Sequence, residues 1–351
     1  MPVELPGFVD HHTHCLYMAH PARPARRFES TQAFHRNVAE RDTTPMDEEY
    51  EPLSQSHALR GGLERMLHEA RDLGLVQITE AGMRDWAYLD ALRDLRAKDE
   101  LPVRVRIFVA SGIADLDRMQ RIGDPFLEVV GVKLYADGWV GPRTCAMCQP
   151  FTDEPDNDGV LFMTADRLAS RADPFAEAGW QIATHAIGDR AIETCLDAYE
   201  KVYGSDCAAA APRIEHAQVL NADLIRRMAD MGVVACIQPG FAVTDAESAR
   251  AGLGGDRWEQ SYRWDLLLDA GVRVIAGSDY PIESLSPLVG LHRLVTGDTE
   301  EGKATGAPTL PLRTALDLMT DADAGTTVLS DEPSEDNLRD LEIVEVTPSP
   351  R

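Results

Sequence analysis

EVVGVKLYADG, residues 128–138, is an apolar run interrupted by one lysine and closed by Asp-Gly. Runs of this kind, Val-rich and bounded by turn residues, read as strands buried on both faces, as in parallel sheets. Seven more share the pattern: LPGFVD (5–10), GLVQITEAG (74–82), VRVRIFVAS (103–111), WQIATHAIGD (180–189), PRIEHAQ (212–218), GVVACIQPG (232–240) and VRVIAGSDYP (272–281). Amphipathic stretches lie between them, such as HALRGGLERMLHEARDLG before the second run and DRAIETCLDAYEKVYG after the fifth. Several end on Gly, the usual helix stop. Eight strands alternating with helices predict an α/β protein, a (β/α)8 TIM-type barrel over residues 5–320. A doubly wound open sheet is the competing architecture.

Two connections are too long for simple turns: Cys15 to about Gln55, and Trp139 to about Leu161. Both leave the C-terminal ends of strands, where long loops cover active sites. From residue 321 to 351 the chain is an acidic, turn-rich tail with two short strand-like runs, TTVLS and LEIVEV.

Composition narrows the function classes. The chain has 351 residues with 44% hydrophobic and 26% charged content, ordinary for a folded protein with a sizeable core. Lys+Arg 34 against Asp+Glu 59 gives a formal charge of −25, and the lysines are Lys98, Lys133, Lys201 and Lys303 alone. Acid-rich, Lys-poor composition points to a salt-adapted (halophilic) protein, because salt screens the self-repulsion. The same field opposes nucleic acid and anionic membranes as partners. No secretory signal or membrane-length apolar run is visible, so a cytoplasmic location is expected. The six cysteines are scattered, and Cys145-x-x-Cys148 lacks the second pair of a structural zinc site.

The chemistry-bearing residues fall at strand ends. Period-two alternation puts Asp10, His12 and His14 on one face of the first strand. His185 ends the fifth run, His216 the sixth and Asp279 the eighth. The C-terminal ends of barrel strands converge on one mouth, so these residues become neighbours in a nitrogen- and oxygen-rich site suited to zinc or a similar metal. Lys133 is the sharper signal: burying an ammonium inside VVGVKLY is costly, and this chain otherwise favours Arg. The competing reading pairs its tip with Asp137 or a substrate carboxylate.

The segments PGFVDHHTH, GVKLYADGWVGPRT, ATHAIGDRAIETCLDAYE, RIEHAQ and GSDYPIESLSPLVGL together resemble the amidohydrolase superfamily, in particular the branch that includes N-substituted formamide deformylase. The resemblance implies two divalent metal ions, zinc by expectation. His12, His14 and Asp279 would hold one ion and His185 and His216 the other, with a carboxylated Lys133 as the bridge. It implies hydrolysis of a small-molecule amide, with Asp279 as the catalytic proton carrier. Asp10 is then expected to orient the ligating imidazoles. Glu215 reads as structural, on the strand face opposite His216, and Asp189 as a helix cap.

The chain also departs from that family. Relatives carry a longer stretch before PGFVD that builds a small flanking β-domain, so a truncated or misassigned start, or loss of that domain, is expected. The closing strands of the tail would then lack partners and be loosely held, or pair through another subunit of a homo-oligomer. Phe241 stands where many relatives have His, suggesting a more apolar pocket. Arg143, in GPRT, is expected either to hold a substrate carboxylate or carbonyl or to pair with an acid. Lactone hydrolysis or deamination on the same scaffold, and a non-catalytic binding barrel, are the alternative functions.

Overall fold

The computed structural model describes residues 1–19 and 56–350; the first long connection, from Cys15 to about Gln55, falls almost wholly outside them. Eight strands run parallel: β1 (Val3–Thr13), β2 (Leu75–Met83), β3 (Arg104–Ala110), β4 (Leu127–Tyr135), β5 (Gln181–Ala186), β6 (Arg213–His216), β7 (Val234–Ile237) and β8 (Val274–Ala276). Each pairs with the next in chain order. A doubly wound sheet would reverse direction at a switch point, and this order never does. Every residue of β2 is buried, and all of β4 except Glu128, as expected for strands covered on both faces.

The last strand returns to the first. Thr13 and Tyr280 form a parallel bridge; His14 N–H donates to Tyr280 O and Asp279 N–H to His12 O, both at 2.7 Å. Gly277 makes this approach feasible, because a Cβ there would stand 2.4 Å from His12 N and 2.8 Å from Asp10 Oδ1.

Helices pack outside the strands by their apolar stripes. In the helix Ser56–Asp72, Leu59, Leu63, Leu67 and Ala70 share one face and are fully buried. Each such leucine contributes about 1.5–3 kcal/mol. The helix Ala222–Met231 shows how the sequence sets the ends: Asn221 Oδ1 accepts from Leu224 N–H at 3.0 Å, and Gly232 closes it with a left-handed φ of 68°.

The tail differs from expectation. β9 (Thr320–Leu329) pairs antiparallel with residues 3–8 of β1, and β10 (Ile343–Pro348) pairs with β9. The closing strands therefore find partners within their own chain, on the half of β1 that extends below β2. Thr327 locks the joint: its hydroxyl accepts from Phe8 N–H and donates to Gly74 O.

Candidate metal centre

The chain brings the strand-end residues together. His12 Nε2 lies 3.4 Å from Asp279 Oδ1, and His14 Nε2 lies 3.2 Å from the same oxygen. The His216 ring is centred 5.0 Å from that of His12, and the His185 ring 4.4 Å from that of His216. Lys133 is buried, with Nζ 5.1 Å from the centre of the Tyr135 ring. Asp279 stands on the turn after β8 rather than on the strand, which ends at Ala276. His216 and Asp279 both have left-handed backbone, φ 79° and 60°. Such conformations cost about 1–3 kcal/mol each in a non-glycine residue and cluster at functional sites.

Each imidazole has one nitrogen committed elsewhere. His12 Nδ1 meets Glu215 Oε2 at 2.5 Å, and His14 Nδ1 faces Glu80 Oε1 at 3.4 Å. His216 Nδ1 meets Gln238 Oε1 at 2.7 Å, and His185 Nε2 meets Gly138 O at 2.9 Å. Of these partners the sequence marks Glu215 alone, as a structural residue, and assigns no role to Glu80, Gln238 or the Gly138 carbonyl. Asp10, expected to orient the imidazoles, instead accepts the backbone N–H groups of His12 and Ser278, each at 3.0 Å. Glu215 is not turned away from His216. The left-handed backbone at His216 breaks the period-two alternation, so both side chains reach His12. Glu215 also takes two bonds from Arg213, at 2.7 and 2.9 Å.

The electrostatics suit cation binding. Burial would raise the carboxyls of Glu215 and Asp279. Arg213 and His12 outweigh this for Glu215, as His12 and His14 do for Asp279, so both lie well below the usual range and are ionised. Burial pulls His216 well down, and His185 to about 3, with neighbouring cationic groups assisting; both imidazoles are neutral. Burial lowers Lys133 to about 8 against the pull of Glu215 and Asp279, so a fraction of it is free amine near neutral pH. No hydrogen bond or ion pair closes on its amine among the described residues, Asp137 included.

These residues fit a metal ion. His12 Nε2 and Asp279 Oδ1 are buried without a hydrogen-bond partner, although they face one another. Orphaned buried polar atoms are costly, and a cation between them would satisfy both. His12, His14 and Asp279 bring their donor atoms mutually within 4.8 Å, as do His12, Glu215 and Cys236. The His185 and His216 rings, centred 4.4 Å apart, stand beside this group, with His216 against His12.

The remaining expectations resolve in different ways. Arg143 is committed to its own loop: Nε and Nη2 grip Asp153 at 3.0 and 2.6 Å, while Nη1 donates to Val140 O and Ser248 Oγ. Its partner is thus an acid of the chain. Phe241 is buried with its ring centred 6.0 Å from that of His216. Asp189 opens the helix Asp189–Tyr203 from inside and accepts Cys148 N–H at 2.8 Å. All six cysteines are free.

Similarity to known proteins agrees with this geometry. The Bacillus subtilis (strain 168) protein named as amidohydrolase YtcJ is 31% identical over 242 residues, 68% of this chain and 45% of that one. The N-substituted formamide deformylase of Arthrobacter pascens is 31% identical over 145 residues, 41% of this chain and 27% of that one. The matched regions thus span less than half the length of these curated relatives. An uncharacterized metal-dependent hydrolase from Pyrococcus horikoshii superposes with a TM-score of 0.75 at 20% identity, covering 91% of this chain and 80% of the other. One from Pyrococcus furiosus gives 0.72 at 20% identity, covering 98% and 85%. At such identity these two speak for the fold, and no helix among the described residues is long and apolar enough to cross a membrane. The model of the Amidohydrolase family matches residues 17–333, and the chain belongs to that family.

Proposed function

We propose that this chain is a metal-dependent hydrolase that cleaves a non-peptide amide-type C–N bond, releasing a carboxylate and an amine. The observation that carries the reading is the facing pair of orphaned atoms, His12 Nε2 and Asp279 Oδ1, with His14 Nε2 against the same oxygen. His12, His14 and Asp279 would hold one divalent ion, and His185 and His216 a second. Lys133, carboxylated on its amine, would join the two. Bound there, divalent ions such as zinc supply Lewis acidity toward a carbonyl and lower the pKa of water.

The chain's own groups then divide the work. Asp279 is ionised, so it is able to take the proton of the attacking water and deliver it to the leaving nitrogen. Glu215 and Gln238 hold the His12 and His216 rings so that one nitrogen of each stays open. Phe241 gives the mouth an apolar wall beside His216, which suits a substrate with a hydrophobic portion.

One purification in high salt with zinc or manganese tests the reading, with metal content measured and formamides, N-acyl amino acids, cyclic amides and lactones screened together. Two metals per chain and amide turnover are expected; one metal with ammonia release would instead mark a deaminase. Asp279→Asn should retain much of its metal while turnover falls by at least about 100-fold, and full activity in that variant would remove Asp279 from its role. Lys133→Ala that still holds two metals and turns over normally would remove the bridge.

A further inference from the structure

The groups that steer the site imidazoles differ in charge. His12 Nδ1 faces Glu215 and His14 Nδ1 faces Glu80, both carboxylates, whereas His216 Nδ1 faces the neutral amide of Gln238 at 2.7 Å. Gln238 is buried and its own orientation is fixed. Its Nε2 donates to Cys236 O at 3.1 Å, and a carbonyl only accepts, so Oε1 must be the atom turned to His216. An amide oxygen also only accepts. His216 therefore carries its proton on Nδ1 and leaves the lone pair on Nε2.

We propose that Gln238 is a positioning residue that fixes His216 as the Nδ1–H tautomer with Nε2 open to a metal ion. We further propose that its neutrality makes the His185–His216 half of the centre hold its ion more weakly than the His12–His14–Asp279 half. This inference rests on the metal-centre reading above. A carboxylate partner both orients an imidazole and raises its basicity toward a metal; an amide orients without adding charge. His185 belongs to the same weaker half, because its Nε2 is held by the backbone carbonyl of Gly138. Asp137 Oδ1 stands 3.4 Å away, as far as Glu80 stands from His14, but unlike Glu80 it makes no hydrogen bond to the ring, and its carboxyl is already met by the N–H groups of Ala146, Ile187 and Gly188. The two halves thus differ in what stands behind the ligands, even where the ligating atoms are of one kind.

The test compares the full-length wild type with Gln238→Leu and Gln238→Glu, each stripped with a chelator and titrated with zinc by calorimetry. Wild type should bind one ion tightly and a second more weakly. Gln238→Leu should weaken the second ion by about 10–100-fold and leave the first unchanged. Gln238→Glu supplies an acceptor with charge, so it should bind the second ion more tightly than wild type. Equal affinities in Gln238→Leu and wild type, loss of both ions together, or a Glu variant no better than wild type would overturn the proposal. The 15N shifts of the His216 ring in metal-free wild type give an independent reading, and an Nε2–H tautomer there would overturn it too. A wild type that binds a single ion would count against the two-metal reading instead, while the ring shifts would still decide the role of Gln238.

Discussion

Replacing Glu215 by Gln perturbs folding and metal binding through one side chain. Both carboxylate oxygens are used: Oε1 accepts from Arg213 Nε at 2.7 Å, and Oε2 from Arg213 Nη2 at 2.9 Å and His12 Nδ1 at 2.5 Å. A glutamine of the same shape has one acceptor, so its NH2 must face a donor in either orientation, and Arg213 keeps a buried charge with no anion. Breaking a buried pair in this way costs about 3–5 kcal/mol. For 351 residues the unfolding entropy is about 0.7 kcal/mol/K, so the melting temperature should fall by about 4–7 °C. His12 also loses the partner that orients it, and the affinity of the tighter ion should drop by about 10–100-fold. Scanning calorimetry of metal-free protein and a zinc titration measure the two effects separately. The pH dependence has a definite sign. The folded carboxyl lies well below 4.5, so its contribution is complete above about pH 4.5 and is lost as pH falls through the folded value. The gap between wild type and variant should therefore close in acid. An unchanged melting temperature together with unchanged zinc affinity at neutral pH would refute the assignment of Glu215 as the group joining Arg213 to His12.

Two further outcomes are expected. Arg143→Gln should lower the melting temperature and speed proteolysis within 139–161, while shifting KM equally for substrates with and without a carboxylate, because the guanidinium is spent on Asp153, Val140 and Ser248. A selective loss on carboxylate-bearing substrates with unchanged cleavage would return Arg143 to a binding role. Burial, with Glu283 adding to it and Tyr262 and Arg143 opposing, pushes the Asp245 carboxyl up to about 6 from 3.8. Its contribution is complete below about pH 3.8 and lost as pH rises through 6, so Asp245→Asn should gain on wild type by at most about 3 kcal/mol between pH 4 and pH 7 in denaturant titrations. A constant difference across that range would contradict the burial of a charged carboxylate there.

The sequence carried most of the fold because strands covered on both faces must be apolar throughout, and β2 and β4 meet that demand almost residue for residue. It overran at VRVIAGSDYP, where the apolar pattern continues past Ala276 but the chain leaves the strand to place Asp279 on a turn. The histidines and Asp279 were legible because barrel strand ends converge whatever lies between them. Glu80, Glu215 and Gln238 were not, since no local spacing says which residue will stand behind which imidazole. For Glu215 the alternation rule pointed the wrong way, because φ of 79° at His216 leaves no mark in RIEH. The tail strand was read only from TTVLS onward. Its first residues, TDADAG, are polar and partly exposed, and their pairing with β1 depends on a register set more than three hundred residues away.

That pairing bears on the site through β1, whose two halves are held by different neighbours. Residues 3–8 pair with β9 and residues 8–13 with β2, so the strand that carries His12 and leads directly into His14 is held by neighbours at both ends. At its end the turn after β8 is attached by two backbone bonds and one side chain: Asp279 N–H to His12 O, His14 N–H to Tyr280 O, and Ser278 N–H to the Asp10 carboxylate. The same Asp10 oxygen holds His12 N–H, so one side chain spans both sides of the join. The positions of His12 Nε2 and Asp279 Oδ1 therefore follow from hydrogen bonds that tie the turn after β8 to the end of β1, a more exact support than two untethered loops could give. It also explains why Gly277 must lack a side chain and why Asp10 is tolerated although burial lifts its carboxyl to about 6. In the proposed metal centre Asp10 would act through the backbone, by fixing the distance across which His12 and Asp279 would share an ion.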